Sequence, residues 1–222
     1  MNFLIGISLF FMATMGAVTG TSVGVQAAQA QTLQKTLEKY SQMPSIQFEI
    51  KKTDEKVILG TTTESTGILK YQKSRLYISQ NGSKKTELFY ADKVLTLVEH
   101  PDTDFGDDGK RKVTVIKKNI PPLVTSLLNL FSNPKNFTKE FSVVSQSESE
   151  GVYVATLKPK SATIKNLSLK VNTSDLSLTE MSFVDDVDTK TTLSFSNLKT
   201  NKKMNRSEFQ YKPSKTDEVL NQ

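Results

Sequence analysis

The sequence predicts an all-β-dominated (α+β) fold: an unclosed antiparallel β-barrel of about 11 strands with a helical lid. Three observations lead there. Apolar and polar residues alternate in segment after segment between Ile46 and Tyr211, the period of a half-buried strand. No helical patterns fall regularly between those segments, so βαβ crossovers are not indicated and the sheet is antiparallel. One mid-chain stretch, Lys118 to Phe131, reads instead as a helix too apolar to stand alone in water.

The chain has 222 residues, enough for one good-sized core. Its 29 basic and 23 acidic residues give a formal charge of +6, mildly favouring anionic surfaces, lipid head groups included. No block of Lys and Arg is dense enough to indicate nucleic acid. Cysteine is absent, which excludes disulfides, thiol catalysis and thiolate metal sites. Tryptophan is absent too, so twelve Phe and six Tyr supply the aromatic surface.

Residues 1–30 read as a signal peptide. Phe3 to Val18 is almost wholly apolar, and Val25-Gln-Ala27 and Ala28-Gln-Ala30 both suit a small-x-small cleavage site. Cleavage after Ala30 is preferred, leaving a single domain over residues 31–222 in an extracytoplasmic compartment. The n-region carries no Lys or Arg, and an uncleaved anchor is the alternative.

Thr32 to Met43 is expected as a short amphipathic helix with Leu33, Leu37 and Tyr40 on one face, stopped by Pro44. Ile46, Phe48 and Ile50 then alternate as a strand, followed by a turn over residues 51–56 and a second strand from Val57 to Thr66 continuing to Tyr71. Lys73-Ser74 is a turn. Leu76 and Ile78 share a face of the next strand, and Asn81-Gly82 is the clearest tight-hairpin signal. Residues 87–90 and 94–98 form a further hairpin across Ala91-Asp-Lys93.

His100 to Gly109 is a loop with four aspartates, Asp102, Asp104, Asp107 and Asp108. Its order does not match a calcium loop, so a solvated loop is expected. His100, the single histidine, is expected at the surface. Arg111 to Lys118 is a short strand or arm. Ile120 to Phe131 is the apolar helix, its prolines placed at the start where a missing N–H costs nothing, and Lys135 to Glu140 a second short helix. Strands follow over residues 141–147, 152–158, 167–171, 177–184 and 191–198. A short strand is expected around Phe209-Gln-Tyr211, then a polar tail.

About eleven strands must curl to hide an apolar face, and curled so widely they enclose more space than side chains need. The helix at 120–131 either closes a filled core or covers a cavity for an apolar ligand. Catalysis finds little support: there is no nucleophile elbow, HExxH motif or Walker loop. No cofactor or metal is expected.

The chain resembles the periplasmic outer-membrane lipoprotein carrier protein family (LolA-like). The resemblance lies in order and spacing over the region after residue 30. It includes Ile46-Gln-Phe-Glu-Ile50, Gly67-Ile-Leu-Lys-Tyr-Gln-Lys73, the hairpin Glu87 to Val98, Pro122 to Leu130, Leu157-Lys-Pro159 and Phe209-Gln-Tyr-Lys-Pro213. It implies an unclosed barrel whose apolar cavity receives lipoprotein acyl chains. An inner-membrane ATP-driven release complex would supply the acylated lipoproteins, and an outer-membrane lipoprotein receptor would accept them. A monomer in the periplasm is expected, with no nucleic acid partner.

Residues expected on the cavity wall are Leu69, Tyr71, Leu76, Ile78, Phe89, Leu95, Leu97, Leu169, Met181, Phe183, Leu193 and Phe195, though alternation does not fix which face is interior. The lid would be Ile120, Leu123, Val124, Leu127, Leu128 and Phe131. Lys73 matches the family's latch arginine, with Arg75 close by; lysine lacks the planar fork of donors. A general lipid or glycolipid chaperone, an envelope sensor domain and a structural β protein with a filled core are the alternatives.

Overall fold

In the computed structural model the described residues are 22–102, 109–160 and 164–221, with side chains described from Gln31 onward. The order is α1 (Ser22–Ser41), β1 (Ser45–Lys56), β2 (Thr61–Gln72), β3 (Arg75–Asn81), β4 (Lys85–Ala91), β5 (Val94–Glu99) and β6 (Lys112–Ile116). Then come α2 (Pro122–Ser132), α3 (Pro134–Glu140), β7 (Phe141–Ser149), β8 (Val152–Pro159), β9 (Ile164–Asn172), β10 (Ser177–Asp185), β11 (Thr189–Thr200) and β12 (Glu218–Asn221).

All twelve strands form one sheet in the order β12-β6-β5-β4-β3-β2-β1-β11-β10-β9-β8-β7, open at β12 and β7. The chain lays down β1 to β6 outward in one direction, then crosses to the far edge and returns from β7 to β11 beside β1. That long crossing carries α2 and α3, and a second one, residues 201–217, leads from β11 back across the sheet to β12. The sheet curls around the first of these, and α2 lies in its concave face.

Sequence and structure differ at five places. The strand β1 continues through residues 51–56, and the turn falls at Val57–Leu59, a 3-10 turn ended by Gly60 at φ 62. Residues 51–56 are charged but for Thr53, which suits a strand with both faces near water and which composition alone reads as a turn. Asn81 stays inside β3 and the connection is Gly82 to Lys84. The two-residue turns lie at Lys73-Ser74, Asp92-Lys93 and Glu150-Gly151, all with positive φ.

Phe209 ends a 3-10 turn rather than a strand, because Asn205 and Glu208 cap Arg206–Phe209 reciprocally. The polar tail contributes β12, which pairs parallel with β6, so the sheet is mostly rather than wholly antiparallel. Finally, α1 starts at Ser22, ten residues before the expected helix, and runs through Ala27 to Ala30. The apolar segment before it, and Asp104, Asp107 and Asp108, lie outside the described residues.

Candidate functional site: the lid helix and the concave face

The helix α2 begins where its prolines allow: Pro121 is the N-cap and Pro122 the first helical residue. It ends at Asn133, whose side chain accepts the Asn136 N–H at 3.0 Å and so caps α3. The two helices are joined by Asn129 Nδ2 donating to Glu140 Oε2 at 2.8 Å. Val124, Leu127, Leu128, Leu130 and Phe131 are buried against the sheet, while Ile120 and Leu123 are half-buried at the lid's margin.

Phe131 reaches the centre of the concave face, its ring 5.7 Å from Tyr40, 6.3 Å from Phe48 and 5.4 Å from Tyr71. Phe195 joins the same group through Phe48 at 5.0 Å. The aromatic rings thus fill the space between α1, α2 and the sheet.

Nine of the expected wall residues lie buried in this cluster: Leu69, Tyr71, Leu76, Ile78, Leu95, Leu169, Met181, Leu193 and Phe195. Phe183 packs at its margin. Leu97 shares the concave phase of Leu95 and is half-buried. Phe89 is on the opposite face, where its ring lies 5.0 Å from Tyr77 and 6.3 Å from Tyr211. Leu88, Phe89 and Tyr90 are consecutive apolar residues, so alternation does not set their phase; pairing of Leu88 with Ile78 and Tyr90 with Leu76 turns Leu88 and Tyr90 inward. Tyr40, Phe48, Ile46 and Ile50 are among the interior residues absent from the expected wall, although all four sit in correctly read apolar phases.

Lys73 is exposed in the β2–β3 turn at φ 49 and Arg75 is half-buried at the start of β3. Among the described residues neither bonds to α2, so the expected latch is not formed in this conformation.

Beside the start of α2 is a cleft of about 620 Å³, in the size range of small-ligand sites. Ile120, Pro122, Phe141, Pro159 and Ile164 give it apolar walls, and Lys139 and Lys160 stand among its lining residues. The interior behind it is poor in unsatisfied polarity. Tyr40 Oη accepts the Leu178 N–H at 2.8 Å, and burial pushes the phenol up to about 12, so it stays neutral. Tyr153 donates to Gln146 at 3.0 Å and is likewise pushed up to about 12 by burial. Among the described residues no buried side-chain polar atom lacks a partner.

Charge is concentrated on the convex face, under the segment from Asn205 to Asp217. Lys70 meets Glu208 at 2.9 Å, and Arg111 grips Asp217 with two bonds of 2.8 Å. Tyr211 also donates to Asp217. The Arg111 guanidinium holds the Asp217 carboxyl down to about 2. Glu87 takes a bond from Tyr77 at 2.7 Å and lies 2.7 Å from His100 Nε2, so His100 is half-buried and partnered rather than free at the surface. Burial works to raise the Glu87 carboxyl, but those hydrogen bonds outweigh it and leave it below its usual range. Among the described residues no three His, Asp or Glu side chains cluster as a metal site.

An open, curled, mostly antiparallel sheet wrapped around one apolar helix makes a lid-over-barrel fold. Residues 105–212 match the family described as outer membrane lipoprotein carrier protein LolA.

No curated protein matches this chain in sequence. Among solved structures it is similar to an uncharacterised conserved protein from Thermus thermophilus, with a TM-score of 0.47 at 10% identity over 87% of this chain and 99% of that one. It is also similar to a putative outer membrane lipoprotein-sorting protein domain from Vibrio parahaemolyticus, with TM-score 0.40, 9% identity and coverage of 82% and 94%. A LolA-superfamily protein from Nitrosomonas europaea gives TM-score 0.40, 9% identity and coverage of 82% and 97%.

Proposed function

We propose that this protein binds the acyl chains of lipoproteins beneath α2 and carries them across the periplasm. Cargo would come from an inner-membrane ATP-driven release complex and pass to an outer-membrane lipoprotein receptor. The supporting observation is α2 itself: a helix with five buried apolar residues, set in the concave face of an open sheet, with an apolar cleft along its first turn. The wall residues named above become the ligand-contacting surface when α2 moves aside, with Phe89 excluded by its face.

The energetics favour this use. Each buried methylene is worth about 0.8 kcal/mol, so one long acyl chain carries roughly 10 kcal/mol of transfer free energy. Such cargo does not cross water alone. A wall with its polar groups already paired does not forfeit that gain to desolvation. Cleavage after Ala30 would leave the buried half of α1, Leu33 to Tyr40, in place, and residues 31–222 would act as one domain. The working form is a monomer.

The test is release. Mixed with inner-membrane spheroplasts, the purified protein should bring newly made lipoproteins into solution in complex with it. If lipoproteins stay on the membrane while an apolar fluorescent probe still binds, a general lipid chaperone replaces the carrier. If neither occurs, α2 closes a filled core.

A further inference from the structure

The hairpin β1–β2 is an arm whose apolar residues, past its base, are all at its end. Beyond Ile50 in β1 and before Gly67 in β2 the two strands read Lys51-Lys-Thr-Asp-Glu-Lys56 and Thr61-Thr-Thr-Glu-Ser-Thr66, with no large apolar side chain. Six residues of strand extend it roughly 20 Å past Ile50. Its tip is Val57-Ile58-Leu59, exposed by 61%, 75% and 68%. Beside it lies the β10–β11 turn, since Lys56 pairs with Thr189, and this turn presents Val187 at 65% exposure. The Asp185 carboxylate accepts the N–H groups of Val187 at 3.1 Å and Thr189 at 2.8 Å, bracing that turn. Nothing in the folding of the core requires four aliphatic side chains at this end.

We propose that this tip docks on a lipid bilayer, with Val57, Ile58, Leu59 and Val187 entering the boundary between head groups and acyl chains. A protein partner fits less well. A stable protein interface buries about 800 Å² on each side and is anchored by Trp, Tyr or Arg. A three-residue turn with one neighbouring valine offers neither. A bilayer requires no matching shape, only apolar side chains able to reach it. Behind the tip the arm is polar along its length: Lys190 pairs with Glu55 at 3.8 Å close to the tip, and Lys51 with Glu64 at 2.8 Å nearer the base. Lys56, adjoining the tip, has no ion pair among the described residues, which leaves its ammonium for lipid phosphate. The contact is small and therefore reversible, as a shuttling protein requires. It is separate from the lid and its cleft.

The chain has no tryptophan, so one introduced indole reports alone. Ile58→Trp places it at the tip, and Val144→Trp places a control on the exposed edge strand β7, where Val144 is 63% exposed. With protein-free vesicles of phosphatidylethanolamine and phosphatidylglycerol, the tip indole should shift to the blue and be quenched by brominated acyl chains, while the control should not. The double variant Ile58→Ser, Leu59→Ser should lower vesicle partition at least tenfold. Its uptake of an apolar probe should stay at the wild-type level, which separates this site from the carrier cavity. No shift at position 58, or equal shifts at both positions, overturns the proposal. Binding only to vesicles that contain inner-membrane proteins overturns it in favour of a protein partner.

Discussion

At the scale of single residues, Gly67 shows how tightly the sheet is drawn. It faces β3 so closely that an added Cβ would lie 1.7 Å from the Ser79 carbonyl oxygen, and that oxygen is backbone and cannot swing away. Gly67→Ala should therefore displace β2 from β3 and cost about 1–3 kcal/mol or more, the usual penalty for overpacking. A thermal melt checks this, since each kcal/mol lowers the midpoint by about 2–4 °C in a domain of this size. An unchanged midpoint would show that the strands can part at no cost. The sequence marks Gly67 only as a glycine inside a strand. Its reason is the partner backbone, which no local pattern contains. The same holds for Phe89, whose side of the sheet follows from the register of Leu88 with Ile78.

At the scale of elements, the strap formed by β12 and the residues just before it is anchored by the Arg111–Asp217 ion pair. Asp217, with its folded pKa near 2, lies below the ordinary aspartate value of about 3.9. A carboxyl depressed on folding contributes fully above its unfolded pKa and loses that contribution as pH falls through the folded one. Protection of the β12 amides, corrected for intrinsic exchange, should thus be steady from pH 7 to 5 and fall between about 4 and 2. Asp217→Asn should lower it at neutral pH as well. If the variant keeps wild-type protection at pH 7, other contacts hold β12 to β6. This strap was illegible in the sequence because Glu218 to Asn221 is polar and all four residues are exposed. The elements with an apolar side were readable: Leu33, Leu37 and Tyr40 on α1, the phases of β3, β9 and β11, and the prolines that open α2. Burial writes a period into a sequence, and a strand added at a solvated edge writes none.

At the scale of the whole molecule, the carrier function proposed above implies that the open sheet and its crossing helix set a threshold for cargo. Lifting α2 exposes Val124, Leu127, Leu128, Leu130 and Phe131, each worth about 1.5–3 kcal/mol of burial, so the sum is of the order of 10 kcal/mol. One long acyl chain gains a similar amount on entering. A single chain therefore roughly balances the cost of opening, whereas two or three chains on one lipoprotein exceed it. Mono-acyl ligands should bind weakly and multiply acylated ones tightly, a selectivity that arises from the lid rather than from any contact with a head group. Leu127 is fully buried beneath the lid, and truncating it weakens closure by about 2–5 kcal/mol. Leu127→Ala should then raise affinity for a mono-acyl fluorescent probe by tenfold or more, while affinity for a multiply acylated ligand changes in the same direction. The two titrations, run with a urea unfolding curve on the same protein, separate lid opening from general loosening: an unchanged mono-acyl affinity in a destabilised variant would mean that α2 does not move when ligand enters.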